Sequence, residues 1–265
     1  MPVLELDALT RRFGQQVAVD AVTMQVEAGE ILGLLGPNGA GKTTTLKMLT
    51  TLLPPTSGTA RVVGYDIVTQ SAAVRRMMGY VPQLVSADGG LSGYENLLLF
   101  ARLYDVPRRQ QRERVDEALA FMGLADAAQK MVRHYSGGMI RRLEIAQAML
   151  HRPPVLFLDE PTVGLDPIAR EAVWERIGQL RDDYGTTILF TTHLMEEADT
   201  LCSRVAIMHL GKVAALGQPS ELKAALGIAD ATLDDVFVHY AGAANDTGGN
   251  YREISRARRT ARRLG

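Results

Sequence analysis

The residues most able to do chemistry stand at Gly36-Pro37-Asn38-Gly39-Ala40-Gly41-Lys42-Thr43. A glycine, four residues, a second glycine, then lysine and threonine is the spacing of a loop that cradles phosphates. Its glycines let backbone N–H groups turn inward toward anionic oxygens. Lys42 is placed to reach the β- and γ-phosphates, and Thr43 to set its hydroxyl on Mg²⁺. Ile31 to Leu35 reads as a short buried strand, and Thr43 to Leu53 as a helix whose first turn also holds Thr44. Strand, glycine loop and helix start are the context the pattern needs, because the positive end of the helix dipole then faces the anion. The loop implies a nucleoside triphosphate without saying which, or for what.

Two further constellations carry chemistry. Val155-Leu156-Phe157-Leu158-Asp159-Glu160 is an apolar run ending in two carboxylates. A buried parallel strand suits the run, and its carboxyl end points into a ligand crevice. Asp159 is then placed to hold Mg²⁺ through water, and Glu160 to polarise a water in line with the γ-phosphate. Tyr135-Ser136-Gly137-Gly138-Met139 precedes a helix with Leu143, Ile145, Ala146, Met149 and Leu150 on its apolar side. Ser136 is a good N-cap, and Gly137 and Gly138 expose backbone N–H groups beyond it. This is a second anion-binding device, about a hundred residues from the first. Both can meet one phosphate only if the fold, or a second chain, brings them together.

The elements that must position these groups follow from pattern. Val3, Leu4, Leu6 and Leu9 alternate with polar residues like an edge strand; Val17, Val19, Val22, Met24 and Val26 repeat with the same period of two. Pro54 to Gly58 is a turn, and Ala60 to Val63 another short strand. Residues 84–153 read helical, with helices at Tyr94–Tyr104, Arg108–Met122 and Gly137–His151. Beyond them come a strand at 155–158, a helix at 168–184, a strand at 187–191, a helix at 194–201 and a strand at 204–208. Strands alternating with helices imply a parallel α/β sheet. Ala241 to Asn250 reads as a flexible linker of small residues. After it, Arg252, Arg256, Arg258, Arg259, Arg262 and Arg263 face the single Glu253, either as a solvated tail or as a contact for anionic lipid headgroups.

Bulk numbers narrow the class. The 265 residues suit one large domain or two small ones. A net charge of −1 gives no footprint for nucleic acid. A single cysteine, Cys202, excludes an internal disulfide and fits a reducing compartment. No apolar run is long enough to span a bilayer, and the first residues lack a signal layout, so the chain is expected in the cytoplasm, reaching a membrane only through a partner.

At this point the chain resembles the ATP-binding subunit of an ATP-binding cassette transporter, over about residues 3 to 240, with the family's motifs in the family's order. The glycine loop is similar to its phosphate loop, and VLFLDE to its second Walker segment. Tyr80-Val81-Pro82-Gln83 resembles the segment whose glutamine touches Mg²⁺ and the attacking water, which implies that role for Gln83. Ser136-Gly137-Gly138 resembles the family signature. Gly164-Leu165-Asp166 resembles the loop that crosses the dimer contact, and Thr191-Thr192-His193 the switch histidine, a ligand of the γ-phosphate. Phe13 matches the aromatic that stacks on adenine. The signature departs from the commonest form at Tyr135 and Met139, where leucine and glutamine are usual, but it keeps its donors. A Ser-Gly-Gly-Met variant, with Leu233, Val236 and Phe237 in a closing stripe, resembles the daunorubicin/doxorubicin-resistance exporter branch.

The resemblance implies an α/β fold. It has a P-loop NTPase (RecA-like) core, an antiparallel β subdomain, an inserted α-helical subdomain at about 84–153 and a short C-terminal extension after 240. It implies ATP and Mg²⁺, a homodimer closed head-to-tail around two ATP molecules, and a separate membrane-spanning permease at the cytoplasmic face of the membrane. Export of drugs, lipids or other hydrophobic compounds follows from the branch alone. The rivals are a soluble cassette ATPase working on ribosomes or DNA, which usually carries paired cassettes or long coiled-coil insertions, and a small-molecule kinase, in which Ser136 and His193 have no task.

Overall fold

The computed structural model describes residues 2–242. The chain runs β1 (Pro2–Phe13), β2 (Gln16–Glu27), β3 (Ile31–Leu35), α1 (Lys42–Leu49), β4 (Ser57–Val62), β5 (Tyr65–Asp66), α2 (Ser71–Arg76) and β6 (Met78–Val81). Three helices follow: α3 (Gly93–Leu103), α4 (Arg108–Phe121) and α5 (Gly137–Met149). It then returns to the sheet with β7 (Val155–Asp159), α6 (Pro167–Tyr184), β8 (Thr187–Thr192), α7 (Met195–Leu201), β9 (Arg204–His209) and β10 (Lys212–Gly217), and closes with α8 (Pro219–Ala224) and α9 (Leu233–Gly242).

Two sheets result. One is four-stranded and antiparallel, in the order β2-β1-β4-β5; the other is six-stranded, in the order β10-β9-β3-β8-β7-β6. From β9 to β6 the second sheet is parallel, and only β10 runs against it. Strands β3, β7 and β8 are buried along their whole length. Side chains of a strand alternate between its faces, so a central strand covered on both sides must be apolar between its ends. Ile31, Leu156, Leu158, Ile188 and Phe190 join a core with α3, α4, α5 and α6. Leu32, Leu34, Val155, Phe157 and Leu189 join another with α1 and strands β1, β2 and β4. The parallel sheet is therefore a middle layer, with helices on one face and α1 beneath the antiparallel sheet on the other. A smaller cluster seats α7, α8 and α9 against β9 through Ala198, Val205, Ile207, Leu222, Leu233 and Val236.

Four readings from sequence change. The first strand is not an edge: Leu4 pairs with Val26 of β2 and with Val62 of β4. Alternation reports one buried face, and that face looks the same whether one or both edges are paired. Helix α1 stops at Leu49 rather than Leu53, because Thr51 turns to φ 61° and the N–H groups of Leu52 and Leu53 both fold back onto the carbonyl of Lys47. The Pro54-Pro55 pair beyond offers no N–H to continue a helix. The segment read as helical from about 84 begins with an irregular stretch, 84–92, and its first helix, expected at Tyr94, starts at Gly93 after a capping box between Ser92 and Glu95. Finally, α9 runs through Ala241 and Gly242, so these belong to a helix and not to the expected linker; Ala241 is buried and extends the Leu233, Val236, Phe237 stripe by one turn. The rest of the linker and the arginine-rich tail lie outside the described residues.

Candidate active site

Strands β3, β8, β7 and β6 are neighbours, so their carboxyl ends stand in a row. The phosphate loop follows β3, His193 follows β8, Asp159 and Glu160 end β7, and Gln83 follows β6. Register aligns them: Leu35 lies beside Thr192, Asp159 beside Thr191, and Leu158 beside Val81. The crevice outside such strand ends is where parallel α/β sheets bind ligands.

The loop wraps the start of α1. Gly41 takes φ 103° as the helix N-cap, and a Cβ there would stand 2.5 Å from the carbonyl oxygen of Ala18. Only glycine combines that backbone with that approach. Gly36 and Ala40 are buried, Pro37 and Thr44 half-buried, and Asn38 and Gly39 exposed at the loop tip. Lys42 is buried, with its ammonium donating to the carbonyls of Gly36 (2.7 Å) and Pro37 (3.3 Å) and standing 3.7 Å from Glu160 Oε1. Burial lowers its pKa from the usual lysine value, and the carboxylates of Glu160 and Asp159 oppose that fall.

Thr43 Oγ1 donates to Asp159 Oδ1 at 2.9 Å, and Thr191 Oγ1 donates to the same oxygen at 2.6 Å. Glu160 sits at φ 47°, a conformation that non-glycine residues rarely adopt. Its N–H is held there by Thr191, through Oγ1 at 2.9 Å and the carbonyl at 3.1 Å. The turn aims the carboxylate at two partners, Lys42 on one oxygen and His193 Nδ1 at 3.3 Å on the other. Asp159 and Glu160 are almost fully buried, whereas His193 keeps 43% of its side chain exposed. Below them burial, aided by the charge of Asp159, pushes the Tyr80 phenol up to about 12, so it stays neutral.

Gln83 is exposed at the head of the irregular segment after β6, with its carbonyl bound by Arg141. The ring of Phe13 is 47% exposed at the end of β1, with the Arg11 guanidinium 4.8 Å from its centroid. Phe13 pairs with Gln16 in the hairpin whose Ala18 carbonyl meets Gly41.

The remaining predicted residues are elsewhere. Ser136 caps α5, accepting from the Met139 N–H at 3.3 Å, and Asp166 caps α6, accepting from the Ala169 N–H at 2.9 Å. Ser136, Gly137 and Asp166 are exposed, and Gly137 and Gly138 pass over Leu165 and Ala169. Among the described residues no hydrogen bond or ion pair joins Ser136, Gly137, Gly138 or Asp166 to the phosphate loop. The two anion devices therefore stay separate within one chain. Tyr135 explains its own presence: it is buried, and its hydroxyl donates to the Ala127 carbonyl at 2.7 Å.

Four residues to which sequence reasoning gave no role of their own bear on the site. Thr191 ties Asp159 to Glu160. Arg141 and Glu144 form a buried pair, 3.1 Å apart, beneath the Gln83 segment. Glu197 is buried between Thr162 (2.8 Å) and the Trp174 indole (3.0 Å), and burial raises its pKa. The signal was available for the pair: two charges three residues apart on the same helix as Leu143 and Ile145 have no reason to face the core unless they meet a partner there.

A phosphate loop joined to a buried carboxylate strand end, over a parallel sheet, defines a P-loop nucleoside triphosphatase. Residues 19–163 match the ABC transporter family, and the chain belongs to that family. It is 46% identical to the daunorubicin/doxorubicin resistance ATP-binding protein DrrA of Streptomyces peucetius, over 84% of this chain and 68% of that protein. It is 44% identical to the Nod factor export ATP-binding protein I of Cupriavidus metallidurans, over 83% of this chain and 72% of that one. A solved ATP-binding subunit of an ABC transporter superposes with a TM-score of 0.79 at 31% identity, covering 90% of this chain and 99% of the other. This chain is thus an ATP-binding, ATP-hydrolysing subunit of a membrane transporter, with a membrane partner; the ribosome- or DNA-directed alternative is not favoured. No helix among the described residues is long and apolar enough to cross a membrane.

Proposed function

We propose that this subunit drives export of hydrophobic compounds by closing on ATP as a head-to-tail homodimer at the cytoplasmic face of the membrane. The observation that carries the reading is the separation of the two anion devices. The phosphate loop and the exposed N-terminus of α5 lie on different parts of one chain, and each lacks the other's half of a triphosphate site. Two chains related by a two-fold axis supply both halves twice. Each ATP then rests on one chain's Gly36–Thr44 loop, with Phe13 against the adenine, and meets Ser136, Gly137 and Gly138 of the other, with Asp166 at the contact. The γ-phosphate charge bridges two helix N-termini, and its loss on hydrolysis releases the pair. Residues 1–240, together with Ala241 and Gly242 at the end of α9, act as the nucleotide-binding domain, and the helical segment of about 84–153 faces the permease.

Thr43 and Asp159 fit a magnesium ion. Their oxygens converge at 2.9 Å, and among the described residues no group of three or more histidine, cysteine or carboxylate side chains could cage a metal. Beyond its protein contacts, a cation here would draw its ligands from phosphates and water, the preference of Mg²⁺. Gln83 is the third protein contact. When bound, the ion neutralises charge on the β- and γ-phosphates. Lys42 and His193 add donors to the γ-phosphate as charge spreads over it, and Glu160, fixed by its turn, orients the attacking water.

The test is Glu160→Gln with ATP and Mg²⁺. It retains ATP, hydrolyses it at least about a hundredfold more slowly, and elutes as a dimer in size-exclusion chromatography, whereas the nucleotide-free protein elutes as a monomer. A monomer under every nucleotide condition, with the permease supplied, would falsify the sandwich. The relatives' names support the hydrophobic class of cargo: resistance to daunorubicin and doxorubicin in one, export of a Nod factor in another.

A further inference from the structure

The helix that carries the signature also carries a buried cation that reaches three backbone carbonyls of the candidate site. Arg141 Nη1 donates to the Pro82 carbonyl at 2.8 Å and to Glu144 Oε2 at 3.1 Å. Its Nη2 donates to the carbonyls of Gln83 at 3.2 Å and Glu160 at 3.4 Å. Glu144 uses its other oxygen on Ser86, accepting from the N–H and, at 3.0 Å, from the hydroxyl. Both charges are almost fully buried, with 8% and 2% of their side chains exposed. Burying such a pair has a large desolvation cost, and replacing it with apolar residues is often neutral or stabilising. Stability is thus a weak reason for placing it here, and the partners point to another.

We propose that Arg141 is a positioning residue for hydrolysis. It fixes the Glu160 turn and the Gln83 segment on one guanidinium, while Glu144 fastens that segment at Ser86, so that both move as one body with α5. The inference rests on the roles proposed above for Gln83 and Glu160. Geometry favours arginine over any other cation: its planar fork sends Nη1 and Nη2 to different carbonyls at once, which a lysine ammonium cannot do. Glu160 holds a left-handed turn whose N–H is fixed from β8 and whose carbonyl is fixed from α5, so loss of Arg141 frees one side of that turn. A misplaced water-orienting carboxylate slows the chemical step without removing any contact to the phosphates. Signature end and hydrolytic end therefore communicate through one rigid helix.

The test compares Arg141→Met, Arg141→Lys and Glu144→Gln in the purified full chain, alongside Glu160→Gln. Equilibrium binding of a fluorescent ATP analogue and single-turnover hydrolysis are measured for each. Both Arg141 variants are expected to keep affinity within about threefold and to lose about tenfold or more in hydrolysis rate, with Glu144→Gln between them and wild type. That split separates positioning from a merely structural role, which lowers affinity and rate together. Wild-type hydrolysis in a folded Arg141→Met protein overturns the inference, as does parallel loss of affinity and rate in both Arg141 variants. If Arg141→Met fails to fold, Arg141→Lys and Glu144→Gln are read by the same split. Full turnover by Glu160→Gln means that the site reading itself has failed; an inactive Glu160→Gln beside a fully active Arg141→Met removes only the role of Arg141.

Discussion

Glu160 gathers more of this site than any other residue. Its backbone is strained at φ 47°, its N–H is held by Thr191, its carbonyl by Arg141, and its two carboxylate oxygens face Lys42 and His193. A strained turn of this kind costs about 1–3 kcal/mol and persists only where its surroundings over-determine it. Lys42 shows the same pre-organisation. Its ammonium is buried among carbonyls and carboxylates; burial lowers its pKa, and the charges of Glu160 and Asp159 oppose that fall. Lys42→Ala removes the point charge for the β- and γ-phosphates and leaves Glu160 without its cation. ATP affinity is expected to fall at least about tenfold and ATPase activity to background, since a buried charge-assisted contact contributes about 1.5–3 kcal/mol. Equilibrium binding and phosphate release measure the two effects; full activity would remove the phosphate-loop assignment.

At the level of elements, α5 is the hub. Its N-terminus presents Ser136, Gly137 and Gly138, its middle holds Arg141 and Glu144, and its last turns lie on β6. The contact with β6 is so close that a Cβ on Gly79 would meet the Ala148 carbonyl oxygen at 2.4 Å. Gly79→Ala must push α5 off the sheet and carry Arg141 away from Pro82 and Gln83. Overpacking of this kind destabilises by about 1–3 kcal/mol, and each kcal/mol lowers Tm by about 2–4 °C for a chain of this size. The variant is expected to melt lower in a thermal scan and to hydrolyse ATP more slowly in proportion to its displaced helix. An unchanged melting temperature would mean that α5 is not seated as described.

For the whole molecule, the sheet sets the order of events. Each parallel strand returns its carboxyl end to one rim, so ATP chemistry collects there, while the helical layer lies over the opposite face of the core. In cell fractionation, the chain is expected to sediment with membranes when a membrane-spanning partner is co-expressed and to remain in the supernatant without one. Retention independent of any partner would assign membrane attachment to the chain itself. Much of this was legible in the residues. The phosphate loop, the VLFLDE strand and the Ser136 cap are local patterns, and local patterns survive in sequence because neighbouring residues make them. The row of strand ends was legible only as alternation of strands and helices, not as the order β10-β9-β3-β8-β7-β6. Edge or interior for β1, the turn at Thr51 and the helical Ala241 were misread, since each depends on what packs alongside. Spacing alone picks out a triphosphate loop, because it fixes which backbone N–H groups and side chains can reach a phosphate. That Glu160 faces Lys42 and His193, and that Arg141 joins two loops, emerges only once the chain is folded. Those contacts span tens of residues, and no short-range pattern encodes the burial that forces them together.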